Sequence, residues 1–189
     1  MTRTIEDKSG RLRVLRGEAQ SLGPSRANLE ILPLRTAPNG EQIVLPYMRP
    51  SRSCIISAPI ECLASHRIDR LIKDLTPRIV IDIRLSPSFE RLGTSRPKFL
   101  SHLRSHGVDY AQIANLGNRF VGEGHDSLIR FRQLLRNERA DDLRDLRQSV
   151  DVGPVVLTSV HRKHTGSDRE VIVELLHDAR MGFELLILE

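Results

Sequence analysis

The spacing of apolar positions divides the chain near residue 54 into a weakly patterned beginning and a regular alternation of strand and helix signals. Cys54-Ile55-Ile56-Ser57 is a short apolar run that predicts a strand. Ile68, Leu71, Ile72 and Leu75 then share one face at helical spacing, with Ser65 placed to cap that helix and Pro77 to end it. Arg78 to Ile83 is nearly continuous and β-branched, the pattern of a strand covered on both faces. Pro97 suits a first helical turn, Phe99, Leu100 and Leu103 supply that helix's apolar face, and Gly107 its stop. Val108 to Ile113 predicts a third strand, followed by a glycine-spotted loop. Leu128, Phe131, Leu134 and Leu135 mark the next helix, and a charged helix runs from about Ala140 to Ser149. Pro154 to Thr158 reads as a fourth strand. Ser167-Asp168-Arg169-Glu170 has the form of a capping box, opening a helix through Val171, Leu175, Leu176 and Ala179 that stops at Gly182. Phe183 to Leu188 closes the series as a fifth strand.

Strands separated by helical crossovers predict an α/β fold: an open, mainly parallel five-stranded sheet with helices on both faces. Five units are too few to close an eight-stranded barrel. Before this domain, over residues 54–189, lies a segment of different character, residues 1–53. Residues 1–28 are polar and without period, so a mobile start is expected. Leu29 to Leu34 and Gln42 to Tyr47 flank Ala37-Pro38-Asn39-Gly40, which predicts a β-hairpin confined to an edge by Pro33 and Pro46.

Charge sharpens that division. Residues 1–53 carry nine Lys and Arg against five Asp and Glu, a balance of +4 out of the chain's +5. A basic arm of this kind can bind phosphates by releasing counterions, so nucleic acid is one expected partner through residues 1–53. The hairpin's open edge offers a second route, pairing across a homodimer. With 39% hydrophobic and 28% charged residues, the composition is that of a folded domain. No apolar run approaches the roughly 20 residues that cross a bilayer. Two cysteines, Cys54 and Cys62, are too few for a disulfide framework and are expected as inert, reduced thiols at a cytoplasmic address.

In an open α/β sheet, ligands bind outside the carboxyl ends of the strands. There the chain places Ser57, then Asp82, Arg84 and Ser88, then Gly117, then Ser159 and His161, and finally Ser167 and Arg169 at a helix start. Arg84 and Arg169 beside the free N–H groups of that helix are expected to form an anion pocket. No Gly-x-Gly-x-x-Gly, Walker loop or Gly-x-Ser-x-Gly elbow is present, which counts against dinucleotide, ATP and nucleophile-elbow chemistry. His161-x-x-His164 lacks accompanying ligands at convincing spacing. Both histidines are expected as solvated loop residues, with no metal and no cofactor.

Three segments give the chain a family resemblance. Val80 to Ser88, Phe99 to Gly117 (through Gly107-Val108-Asp109-Tyr110), and Val155 to Arg169 resemble the domain of unknown function 488 family. The resemblance spans about residues 55–189 and implies the same parallel α/β scaffold. The third segment departs from the family, whose two cysteines, eight residues apart, are matched here by Ser159 and Ser167. A serine hydroxyl is a much weaker nucleophile than a thiolate and does not ligate soft metals. The expectation that follows is a binding or regulatory module, catalytically degenerate, holding a small anionic ligand through Asp82, Arg84, Ser88, Gly117, Ser159, Ser167 and Arg169. The alternative is a hydrolase or transferase using Ser159 or His161 with Asp82.

Overall fold

The computed structural model describes residues 53–65, 67–122, 126–179 and 182–188. The basic arm and hairpin expected before Cys54 lie outside these, Ser53 apart. Five strands, β1 (Cys54–Pro59), β2 (Ile79–Asp82), β3 (Asp109–Gln112), β4 (Val155–Ser159) and β5 (Glu184–Ile187), alternate with five helices. The helices are α1 (Ile68–Leu75), α2 (Arg96–Ser105), α3 (Ser127–Glu138), α4 (Ala140–Val152) and α5 (Asp168–Asp178). The strands form one sheet in the order β3-β2-β4-β1-β5, and every pairing is parallel. The open parallel α/β fold expected from the sequence is therefore the fold observed.

The twofold alternation along each strand decides which helices go where. Ile56, Val80, Val156 and Leu186 pack with Ile68, Leu71 and Ile72 of α1 and with Phe99 and Leu103 of α2. Ile55, Ile81, Val155, Leu157 and Leu185 face the other way, onto α3, α4 and α5. Strands β1, β2, β4 and β5 are thus apolar on both sides, which is why their runs read as continuous rather than alternating, whereas edge strand β3 is half-exposed. Helix α5 is the most enclosed of the five helices: Val171, Ile172, Val173, Leu175 and Leu176 are all buried.

This arrangement singles out one strand end. β4 is the central strand, and its connection leaves toward the α3–α5 face. Its neighbours β1 and β2 both send their connections to the α1–α2 face. Loops that diverge to opposite faces open a crevice between them, where open α/β sheets place their ligands. Ser159 and the loop from β4 to α5 sit at that point.

Local chemistry sets most helix ends as expected. Ser167 caps α5, its Oγ accepting the Glu170 N–H at 3.3 Å. The return bond differs by one residue from the usual box, because the Glu170 carboxylate accepts the Gly166 N–H at 2.7 Å. Gly107, at φ +71°, takes the left-handed step that ends α2. The start of α1 is a correction. Strand β1 runs to Pro59 and passes into a 3-10 turn, Ile60–Leu63. Ser65 is thereby turned toward the loop after β2, its Oγ donating to the Leu92 carbonyl, and Arg67 stands at the helix start instead. At the far end the helix stops at Thr76, in the left-handed region at φ 41°, just before Pro77.

Candidate functional site

Strand β2 delivers Asp82 to the carboxyl edge with none of its surface exposed. Its carboxylate is completely occupied. The Arg84 guanidinium grips it through Nε at 2.9 and 3.1 Å and Nη2 at 2.7 Å. The Arg84 backbone N–H adds a bond at 3.0 Å, and the Tyr110 hydroxyl donates another at 2.9 Å. Burial first, then the charge of Asp82 and the bond to it, push the Tyr110 phenol far above its ordinary range, so it remains a donor. The remaining arm of Arg84, Nη1, donates to the Ser88 carbonyl at 3.0 Å, and its guanidinium lies 5.6 Å from the Phe89 ring centre. Phe89, Phe99 and Tyr110 pack as a ring trio beneath it. The charge pair thus holds the loop after β2 in shape and seats it on the α1–α2 core.

Gly117 belongs to the same construction. A Cβ there would lie 2.3 Å from the Ile83 carbonyl oxygen and 3.1 Å from that of Ala114. The loops after β2 and β3 therefore touch backbone to backbone, and glycine is required by contact rather than by its φ. Gly117→Ala is expected to destabilise by about 1–3 kcal/mol, the range for overpacking, and toward its upper end because the atoms met are backbone. Urea unfolding would check it; an unchanged midpoint would refute the close approach.

The β4–α5 loop is braced from the other side. Arg169, fully buried, donates through Nη2 to the carbonyls of His161 (2.6 Å), Arg162 (3.3 Å) and Lys163 (3.0 Å). Ser167 Oγ donates to the His164 carbonyl at 2.5 Å, and Asp168 Oδ1 accepts the Arg169 N–H at 2.9 Å. Ser159, buried, accepts the His161 backbone N–H at 3.4 Å. His164 corrects the expectation of a solvated loop residue: it is 4% exposed, and its Nδ1 stands 2.8 Å from the Oγ of buried Ser57 on β1. Folding the loop back over the sheet carries the ring inward to that hydroxyl.

Ser57 lies within β1, which runs on to Pro59, and the other residues expected at the edge lie at or after the strand ends in separate duties. Arg84 serves the loop after β2, through Asp82 and the Ser88 carbonyl, and Arg169 the loop after β4, through the carbonyls of residues 161–163. In the first turn of α5, expected to face an anion, Asp168 Oδ1 accepts the Arg169 N–H and Ser167 Oγ that of Glu170, while the Glu170 carboxylate accepts the Gly166 N–H just before the helix. The bonds of Ser159 and His161 do not extend to Asp82. Among the described residues, His161 and His164 join no cluster spaced to hold a metal. The roles of Tyr110 and His164, and the partner of Ser57, were not legible, because each depends on a residue 28 or 107 positions away. Cys54 is buried, and its thiol is pushed up to about 12 by burial and then by the Glu184 charge, as befits an inert core residue.

Fold and site together define an open parallel α/β domain whose strand-end loops are braced by buried arginines. Within that class the chain belongs to the family described as Domain of unknown function DUF488, whose model matches residues 65–176, more than half of its length. The match takes in the loops after β2, β3 and β4. No curated protein and no solved structure matches the chain. Among the described residues, no helix is long and apolar enough to cross a membrane.

Proposed function

We propose that this chain is a binding module for a small anionic ligand, received on the outer side of the β4–α5 loop, and that it recognises rather than transforms it. One observation carries the reading: Arg169 draws three successive carbonyls, those of residues 161–163, toward a single buried guanidinium. In a trans peptide the C=O and the next N–H point in opposite directions. The N–H groups of Arg162 and Lys163 are consequently aimed away from Arg169, toward the loop's outer side, in the manner of a backbone anion nest. The side chains of Arg162 and Lys163 are exposed on the same loop, at the crevice around β4. A braced loop loses little conformational freedom on binding, which favours affinity.

The hydroxyls argue for recognition over catalysis. A serine nucleophile needs a base within hydrogen-bond reach and access to substrate. Ser57 has an imidazole at 2.8 Å but is fully buried, whereas the Ser159 hydroxyl is bonded to a backbone N–H.

Thermal unfolding of the full chain with phosphate, pyrophosphate and nucleoside phosphates tests this reading. An anion at a hundredfold over its Kd adds about 2.7 kcal/mol, which raises Tm by roughly 5–10 °C in a chain of this size. The double substitution Arg162→Gln, Lys163→Gln is expected to remove most of that rise and leave the ligand-free Tm within about 2 °C, both side chains being exposed. A flat response to every anion would overturn the proposal.

A further inference from the structure

On the opposite side of the sheet, far from the α3–α5 face, helices α1 and α2 present a second polar cluster. His102 lies in the last turn of α2 and His106 one residue past its end. Their i, i+4 spacing puts both rings on one face, with centroids 4.8 Å apart. Asp69, in the first turn of α1, reaches between them: its Oδ1 stands 2.7 Å from His102 Nε2 and 3.9 Å from His106 Nε2. One ligand atom from each of the three residues falls within 4.8 Å of the others. Ligands about 2.0–2.2 Å from a zinc ion stand roughly 3.3–3.5 Å apart in a tetrahedron. The observed spacings bracket that value, and side chains at a surface can make up the difference by small rotations.

Supporting contacts orient one of the rings. His106 Nδ1 lies 3.0 Å from the His102 carbonyl oxygen. A carbonyl only accepts, so Nδ1 is the donor in this contact and Nε2, on the side of Asp69, is the nitrogen placed to ligate a metal. Such an Nδ1–H to carbonyl bond is the usual outer-shell support of a metal-ligating histidine. The side chains of His102, His106 and Asp69 are 36%, 41% and 64% exposed, so solvent has access to complete the coordination.

We propose that Asp69, His102 and His106 form a divalent transition-metal site that clips α1 to α2, with water in the remaining position. Two imidazoles and one carboxylate suit zinc, and also nickel, cobalt and copper, of which copper(II) binds such donors most tightly. The site is independent of the anion-binding reading, because it shares no residue with the β4–α5 loop.

Titration of the full chain with zinc, and with cobalt as a spectroscopic probe, tests the assignment. Wild type is expected to bind one ion here, and saturating zinc is expected to raise Tm by roughly 2–6 °C. Asp69→Asn, His102→Gln and His106→Gln should each weaken that binding at least tenfold. Each should also keep a wild-type circular dichroism spectrum, since all three side chains reach solvent. Zinc affinity unchanged in all three variants would overturn the proposal, as would the absence of binding at millimolar zinc.

Discussion

Asp82→Ala is expected to lower the unfolding free energy by about 3–5 kcal/mol, the cost of leaving a buried charge without its partner. Arg84 is 7% exposed, and its Nε and Nη2 both lie on the Asp82 carboxylate. Without that carboxylate the guanidinium must either stay buried against the Phe89 ring or pull its loop into water. The Tyr110 hydroxyl loses its acceptor at the same time. The double variant Asp82→Ala, Arg84→Met removes both charges, and much of the loss should return, because an apolar pair of similar volume avoids the desolvation penalty. Urea unfolding of the two singles and the double measures the coupling. A single substitution costing under about 1 kcal/mol, within the range of an exposed pair, would show that the pair does not hold the loop.

Arg169→Ala is expected to be comparably severe, at about 3–5 kcal/mol, for two combined reasons. It removes the largest fully buried side chain among the described residues and leaves a cavity beside α5. It also leaves the carbonyls of residues 161–163 without their charged donor. The effect should have a local signature. Arg162 and Lys163 are exposed trypsin sites in the braced loop, and cleavage there should quicken markedly in the variant under native conditions. Anion binding should fall with it, since the inward-drawn carbonyls orient the outer N–H groups. Unchanged proteolysis at Arg162 and Lys163, with an unchanged urea midpoint, would refute the bracing role.

These two arginines show how far the site was legible beforehand. Their position at the carboxyl edge followed from the β-branched run ending at Ile83 and from the capping box at Ser167. Their duty did not follow. Arg84 closes on a carboxylate two residues away, a pairing that depends on the chain turning sharply at the strand end. Arg169 reaches back six to eight residues to carbonyls whose direction only the folded loop defines. His164 illustrates the same limit: between Arg162, Lys163, Thr165 and Gly166 it reads as a surface residue, yet the fold carries it inside to Ser57 on β1. Gly117 likewise looks like any loop glycine until the Ile83 carbonyl is found against it.

The sequence by itself determined the elements, their alternation and hence the parallel α/β class. It also set the local stops and caps at Gly107 and Ser167, because hydrophobic periodicity and capping act within a few residues. The tertiary structure alone decided the order β3-β2-β4-β1-β5, the central place of β4 and the meeting of Asp69 with His102 across 33 positions. It also decided the commitment of the edge's charged groups to one another. Those outcomes depend on which surfaces pack and which charges are enclosed together, and burial of that kind exists only once the chain has folded.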